Sequence, residues 1–151
     1  MMDINTLPLP LSKPVMECVA VASRNYQVPR ILVISIIKTE SNGNPAAISR
    51  NSNGTTDNGL MQINTIWHQR LERHYGIANA AYHIKHNVCY NINVGTWILS
   101  NEIASAVRSG KTLWDGVGNY HSRTPRFNVS YQKLVAKNML WLSRNTNWVG
   151  Y

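Results

Sequence analysis

Residues 28–41 read Val-Pro-Arg-Ile-Leu-Val-Ile-Ser-Ile-Ile-Lys-Thr-Glu-Ser and run directly into Asn42-Gly43-Asn44-Pro45. Val28-Pro29 opens a helix, because proline is tolerated in the first turn and its fixed φ suits one. Ile31, Leu32, Val33, Ile34, Ile36 and Ile37 make that helix apolar nearly all round, and a helix of this kind is buried on most sides. The Asn-Gly-Asn-Pro string is a strong stop. A single acid, Glu40, is left at the C-terminal end of a greasy helix.

Working outward, Ser12 is placed to cap a first helix from about Lys13 to Asn25, with Pro14 in its first turn. After the stop, Asn51-Ser52-Asn53-Gly54 and Asp57-Asn58-Gly59 predict a small hairpin or irregular loop over 46–58. Helical patterning resumes over 60–73 and again over 88–107, where Val88, Ile92, Gly95, Trp97, Leu99 and Ile103 are the expected inward positions. Thr112-Leu113-Trp114-Asp115 has the character of a capping box and starts a helix toward Tyr120. A last amphipathic helix is expected over 126–143, followed by an aromatic tail with Trp148 and Tyr151. The sum is a mainly α domain with one small β excursion, spanning 12–151, preceded by a flexible lead-in over 1–11.

Composition is consistent with that picture. The 151 residues are 44% hydrophobic and 15% charged, enough to fill one core and the opposite of a disordered profile. No run reaches the roughly 18 apolar residues of a membrane span. Met1 to Met16 contains Pro8, Pro10 and Pro14 and lacks an apolar stretch after a basic start, so it does not read as a signal peptide. A net charge of +8 points to an anionic partner such as nucleic acid, a lipid surface or an acidic polymer, or to a basic surface with no dedicated partner. The cations are scattered along the chain, without a tight Lys/Arg cluster or a recognition-helix pattern. The two cysteines, Cys18 and Cys89, lack zinc-finger or C-x-x-C spacing. They are two buried thiols or one disulfide tying the first helix to the middle of the chain; the disulfide is the favoured expectation and implies export.

The chain has seven acids, and six have ordinary places. Asp3 and Glu17 fall in the lead-in and first helix, Glu72 and Glu102 among polar helical neighbours, and Asp115 has a capping explanation. Asp57 sits on the expected hairpin. Glu40 differs: poor solvation disfavours its ionised form, and the negative end of the helix dipole pushes the same way. A carboxyl kept protonated near neutral pH is what general-acid catalysis requires. The competing reading has Glu40 facing water past the last turn.

The string Glu40-Ser41-Asn42-Gly43-Asn44-Pro45 followed by Gly59-Leu60-Met61-Gln62-Ile63-Asn64 resembles the E-S and G-L-M-Q-I-N signature of soluble lytic transglycosylases. The specialised members that accompany secretion, conjugation and pilus machines are the nearest in flavour. Gly118-Asn119-Tyr120-His121-Ser122 stands where that family has G-A-Y-N-A-G, Tyr131 matches its downstream tyrosine, and Cys18 and Cys89 fall where many specialised members place a pair. The resemblance implies a lysozyme-like fold and an enzyme that cleaves peptidoglycan glycan strands between N-acetylmuramic acid and N-acetylglucosamine. It forms a 1,6-anhydro sugar without water or cofactor, in the periplasm or cell envelope. It implies Glu40 as the acid and then the base, and Gln62, Asn64 and Met61 as groove residues contacting sugar. Ser41 contacts the glycan or the surroundings of the glutamate, and Tyr120 and Tyr131 hydrogen-bond near Glu40 and orient it. The expected partners are glycan strands and components of such a machine, not nucleic acid; the expected state is a monomer.

Two departures from the family pattern stand out. Asn119 and His121 replace the usual Ala and Asn around Tyr120, which changes one wall of the groove and adds a group that titrates near neutral pH or lies passively at the surface. Asp57 is an acid just before G-L-M-Q. It is either a second carboxylate facing Glu40, which would tilt the chemistry toward hydrolysis as in a lysozyme, or a cap for the following turn. His83, His86 and Cys89 have loosely metal-like spacing but no completed ligand set, so no metal is expected. A cell-wall-binding assembly component that no longer cleaves is the alternative from another class, and an intact Glu40 counts against it.

Overall fold

The computed structural model describes residues 11–145. The lead-in up to Pro10 and the tail with Trp148 and Tyr151 lie outside the described residues; Leu11, the last residue of the lead-in, is buried. Helix α1 (Lys13–Tyr26) follows Ser12, whose side chain makes no capping bond; the first turn closes through the Ser12 carbonyl, which accepts from the Met16 N–H at 2.9 Å. Helix α2 (Arg30–Ser41) is the apolar helix expected from the sequence. Leu32, Val33, Ile34, Ile36 and Ile37 are all at most 3% exposed, and each such side chain contributes roughly 1.5–3 kcal/mol of burial. The helix ends where Asn42 turns left-handed (φ 51) and returns its N–H to the Lys38 carbonyl.

The expected hairpin is present as β1 (Ile48–Arg50) and β2 (Thr56–Asn58), antiparallel, with Ser49 opposite Asp57. A third strand, β3 (Ile63–Asn64), pairs with β2 and sets Asn64 opposite Asp57. This corrects the helix expected from Leu60. Gly59 and Gln62 have φ of 79 and 52, a left-handed geometry incompatible with a continuing helix. Helix starts only at α3 (Thr65–Gln69), where the Asn64 side chain accepts from the Ile66 N–H, and runs on into a π-helical turn over Arg70–His74.

The rest is helical. A short α4 (Ala80–His86), which the sequence pattern did not announce, leads into the long α5 (Val88–Arg108), capped by the Asn87 side chain. Helix α6 (Leu113–His121) carries the expected capping box between Thr112 and Asp115, and α7 (Pro125–Asn145) closes the described chain. Helix α5 packs on α1 and α6, and α7 packs on α2 and α6, so the middle of α2 is sunk in the bundle, with Arg30 exposed at its start and Thr39–Ser41 half-buried at its end. Cys18 of α1 is disulfide-bonded to Cys89 of α5, with Cα atoms 5.2 Å apart. No helix among the described residues is long and apolar enough to cross a membrane.

Candidate active site

Glu40 emerges in the last turn of α2 into a cleft of about 360 Å³ that it shares with Asp57, Gln62, Asn64, Tyr120 and His121. Burial raises its carboxyl from an ordinary 4.5 to about 7. A hydrogen bond donated by the Tyr131 hydroxyl to Glu40 Oε2, 2.7 Å long, pulls the other way, and the negative charge of Asp57 adds to the rise. The physical cause anticipated from the apolar helix, desolvation, is thus the largest influence on this group. Tyr131 is itself only 6% exposed, and burial beside Glu40 pushes its phenol well above the usual range, so it stays a neutral donor.

Asp57 stands on the facing wall. One carboxylate oxygen accepts from Asn64 Nδ2 at 2.7 Å and the other from Asn51 Nδ2 at 3.1 Å. The strand register produces the first contact, since Asn64 lies directly opposite Asp57 across β2 and β3. Asn64 is therefore occupied twice over, its other amide atom capping α3. The structure brings Asp57 and Glu40 to one cleft, as the sequence suggested, with α2 and the small sheet as the two sides.

The Gly59–Gln62 turn joins those sides, and here several expected sugar contacts turn inward. Met61 is fully buried rather than lining the groove: Gly95 on α5 leaves the space it fills, and a Cβ there would lie 2.5 Å from the Met61 sulfur. What Met61 presents to the site is its backbone carbonyl, which accepts the Tyr120 hydroxyl at 2.7 Å. Tyr120 thus braces the turn instead of bonding Glu40, although its ring lines the cleft. The Gln62 amide nitrogen donates to the Ala47 and Gly59 carbonyls and its oxygen accepts from Ser49, so this side chain holds the base of the hairpin at the edge of the cleft. Ser41 belongs to the surroundings of the glutamate: its hydroxyl donates to the Leu60 carbonyl at 2.7 Å and ties the end of α2 to the same turn.

His121 stacks on the Tyr131 ring, centroids 5.0 Å apart and planes 12° from parallel. It lines both the main cleft and a second depression on the far side of Glu40, formed with Phe127, Ser130 and Leu134 of α7. Cys89 is committed to its disulfide, and among the described residues no three metal-ligating side chains come together.

Four residues that sequence reasoning passed over also shape the site. Asn51 holds Asp57, and Trp67 forms part of the cleft wall. Asn91, buried on α5, accepts from the Met61 N–H and donates to the Asn58 and Ile84 carbonyls. Asn128 on α7 donates to the Asp115 and Ser122 carbonyls and to Asn119, fixing the helix that carries Tyr120 and His121. Isolated asparagines have no sequence signal of this kind, because their partners are defined only by the fold.

A helical domain with a buried glutamic acid at the end of its central helix, a three-stranded sheet opposite and a tyrosine on the acid is matched by the transglycosylase SLT domain model over residues 17–131, and the chain belongs to that family. It is accordingly lysozyme-like in fold and of the peptidoglycan-acting, lytic transglycosylase type. Among individual proteins it is similar to Invasion protein IagB of Salmonella typhimurium, 31% identical over 121 residues that cover 80% of this chain and 71% of the relative. Protein IpgF of Shigella flexneri is 32% identical over 108 residues, 72% of this chain and 66% of the relative.

Proposed function

We propose that this protein is a lytic transglycosylase that cleaves the bond between N-acetylmuramic acid and N-acetylglucosamine, with Glu40 as its one acid and base. The observation that carries the reading is a carboxyl lifted to about 7 by burial, open to a cleft and held by Tyr131. Protonated Glu40 donates to the bridging oxygen as the C1–O bond breaks, and the substrate's own N-acetyl oxygen stabilises the positive C1. Glu40, now a carboxylate, takes the proton of the muramic 6-hydroxyl while O6 closes on C1. The products are a 1,6-anhydro end and a protonated Glu40 ready for the next cycle. Tyr131 positions the carboxyl; Ser41, Gln62, Tyr120 and Asn91 hold the turn that forms the floor, and His121 and Asn64 border the glycan.

Hydrolysis is the second reading, favoured by one observation: Asp57 lines the same cleft and is held in place by two amide donors. A second carboxylate that stabilises the positive C1 or activates a water is the hydrolase-type alternative. Digestion of purified sacculi followed by mass analysis of the sugar ends decides. Anhydro ends are expected; ends that have gained water would establish hydrolysis, and no release would leave a wall-binding component.

The working location we infer is the periplasm or cell envelope, a reading supported by the Cys18–Cys89 disulfide, which needs an oxidising compartment. Similarity to a Salmonella invasion protein supports service to a trans-envelope machine that needs a local opening in the wall.

A further inference from the structure

The fold assembles a cationic surface that the linear sequence conceals. Helix α7 contains no acidic residue from Pro125 to Asn145, and its cations are Arg126, Lys133, Lys137 and Arg144. Their spacings of seven, four and seven residues return to one side of a helix with 3.6 residues per turn. That side faces away from the core, since Tyr131, Val135 and Leu142 are buried on the other, and all four cations are exposed. The row is about 27 Å long at 1.5 Å per residue.

No acid of the described residues pairs with this row. Among the described residues the one ion pair is Arg123–Glu102, outside α7. The acids of the neighbouring elements are committed elsewhere: Asp115 to the Thr112 capping box, and Glu40 to Tyr131. Apolar side chains border the row on both sides, with Val129 46% and Leu140 50% exposed on one flank and Phe127 45% and Leu134 46% exposed on the other. A soluble polyanion needs the cations alone. Cations in a line with aliphatic and aromatic groups alongside suit a surface that is charged at its headgroups and apolar just beneath.

We propose that the outward face of α7 docks this enzyme on an anionic phospholipid surface, with the cations at the headgroups and the Val129, Leu140 and Leu134 side chains entering the headgroup boundary. Because Phe127, Ser130 and Leu134 also form the depression beside Glu40, docking would fix the cleft close to the bilayer, next to the wall strands nearest the membrane.

The test is co-sedimentation of the full chain with vesicles of phosphatidylglycerol and phosphatidylethanolamine, against pure phosphatidylcholine, at two salt concentrations. Binding to the anionic vesicles alone, weakened by salt, is expected. Each cation near such a surface is worth about fivefold, so Lys133→Gln with Lys137→Gln should lower the partition coefficient about 25-fold. Leu140→Ser should lower it several-fold while keeping the salt dependence. Unchanged thermal unfolding and unchanged cleavage of lipid-free sacculi by these surface variants would show that fold and chemistry are intact. Absence of binding to anionic vesicles, or equal binding by the double variant, would overturn the proposal. So would tighter binding to a DNA duplex that is lost in the double variant but indifferent to Leu140→Ser, since that pattern describes a nucleic-acid surface.

Discussion

Glu40 stands at the end of a helix whose preceding residues are almost all buried, whereas Asp57 stands on a three-residue strand among polar neighbours. Across the same cleft, Glu40 receives one phenol hydrogen bond and Asp57 receives two amide hydrogen bonds. The helical wall removes enough water to move the Glu40 carboxyl to about 7. On the proposed reading, two carboxyl groups of similar chemistry are given different work by what surrounds them, with Glu40 on the apolar wall as the proton donor. The difference also runs through the folding energetics. The helical wall draws stability from burial and spends part of it on Glu40, while the sheet wall is short and relies on side-chain hydrogen bonds.

The largest effect expected from disturbing this pair is that of Glu40→Gln. Loss of the proton donor should reduce cleavage of sacculi by about 10²–10⁴-fold, measured as released muropeptides. The same variant tests the electrostatics through stability. Because the folded carboxyl titrates near 7 against 4.5 when unfolded, the wild type carries no penalty below about pH 4.5. The penalty grows between those values and is complete above about pH 7. Glu40→Gln should match the wild type at pH 4 and exceed it at pH 8 by up to about 3 kcal/mol in denaturant unfolding. Equal stability at both pH values would show that the carboxyl is not desolvated.

The next effect probes the turn that joins the walls. Gly59 has φ 79, and a Cβ there would lie 2.3 Å from Asn91 Nδ2. Gly59→Ala must therefore strain the backbone and displace a buried asparagine that serves three partners. A loss of about 2–3 kcal/mol is expected in chemical denaturation; a variant as stable as the wild type would mean that the turn is free to shift, and with it the relation between Asp57 and Glu40.

How far these features could be read in advance follows the same divide. The apolar run before Glu40 encodes its own burial, so the helix, its end and the raised pKa of the carboxyl were legible from residue order alone. The capping box at Thr112 and Asp115 was legible for the same reason: its partners are three residues apart. The polar wall was not. Strand β3 is two residues long, too short for an alternation signal, and the expected helix from Leu60 failed because two left-handed residues intervene. Met61 was expected in the groove, yet its place is decided by a glycine on α5 remote in sequence. Gln62 and Tyr120 were given the right neighbourhood, but their hydrogen bonds to backbone carbonyls of the turn were not foreseen, because such bonds leave no trace in a motif. The row of cations on α7 was hidden too, because residues seven apart read as scattered until a helix aligns them.

Tyr131→Phe perturbs the helical wall more gently. The lost hydrogen bond was donated to a carboxylate-bearing group, and such bonds contribute about 1.5–3 kcal/mol, so a drop of at least about tenfold in kcat is expected. The phenol favours the ionised form of Glu40. Removing it should raise the Glu40 pKa above about 7 and move the alkaline limb of the pH–rate profile upward. A slower enzyme with an unmoved limb would reduce Tyr131 to packing.

Asp57→Asn should give the smallest effect, and it is the one that separates the two chemistries. Its negative charge raises the Glu40 pKa, so its removal should lower that pKa and shift the alkaline limb downward, opposite to Tyr131→Phe. Asn64 keeps an oxygen to donate to, while one amide donor, that of Asn51 at 3.1 Å, is left facing an amide nitrogen; the local cost is modest. If water plays no part in the reaction, Asp57 acts only through its field across a partly open cleft, a contribution of under about 1 kcal/mol. That corresponds to a rate loss of about threefold with anhydro products retained. A loss of several hundred-fold would instead make Asp57 a partner in proton transfer or charge stabilisation at C1, and sugar ends that have gained water would then make the two walls a hydrolase's pair of carboxylates. The direction of the limb shift and the size of the rate loss are independent readouts. A large loss with the downward shift would show that the two charges are coupled and that Asp57 takes part in the reaction, and the sugar ends released by the wild type then assign the chemistry to O6 or to water.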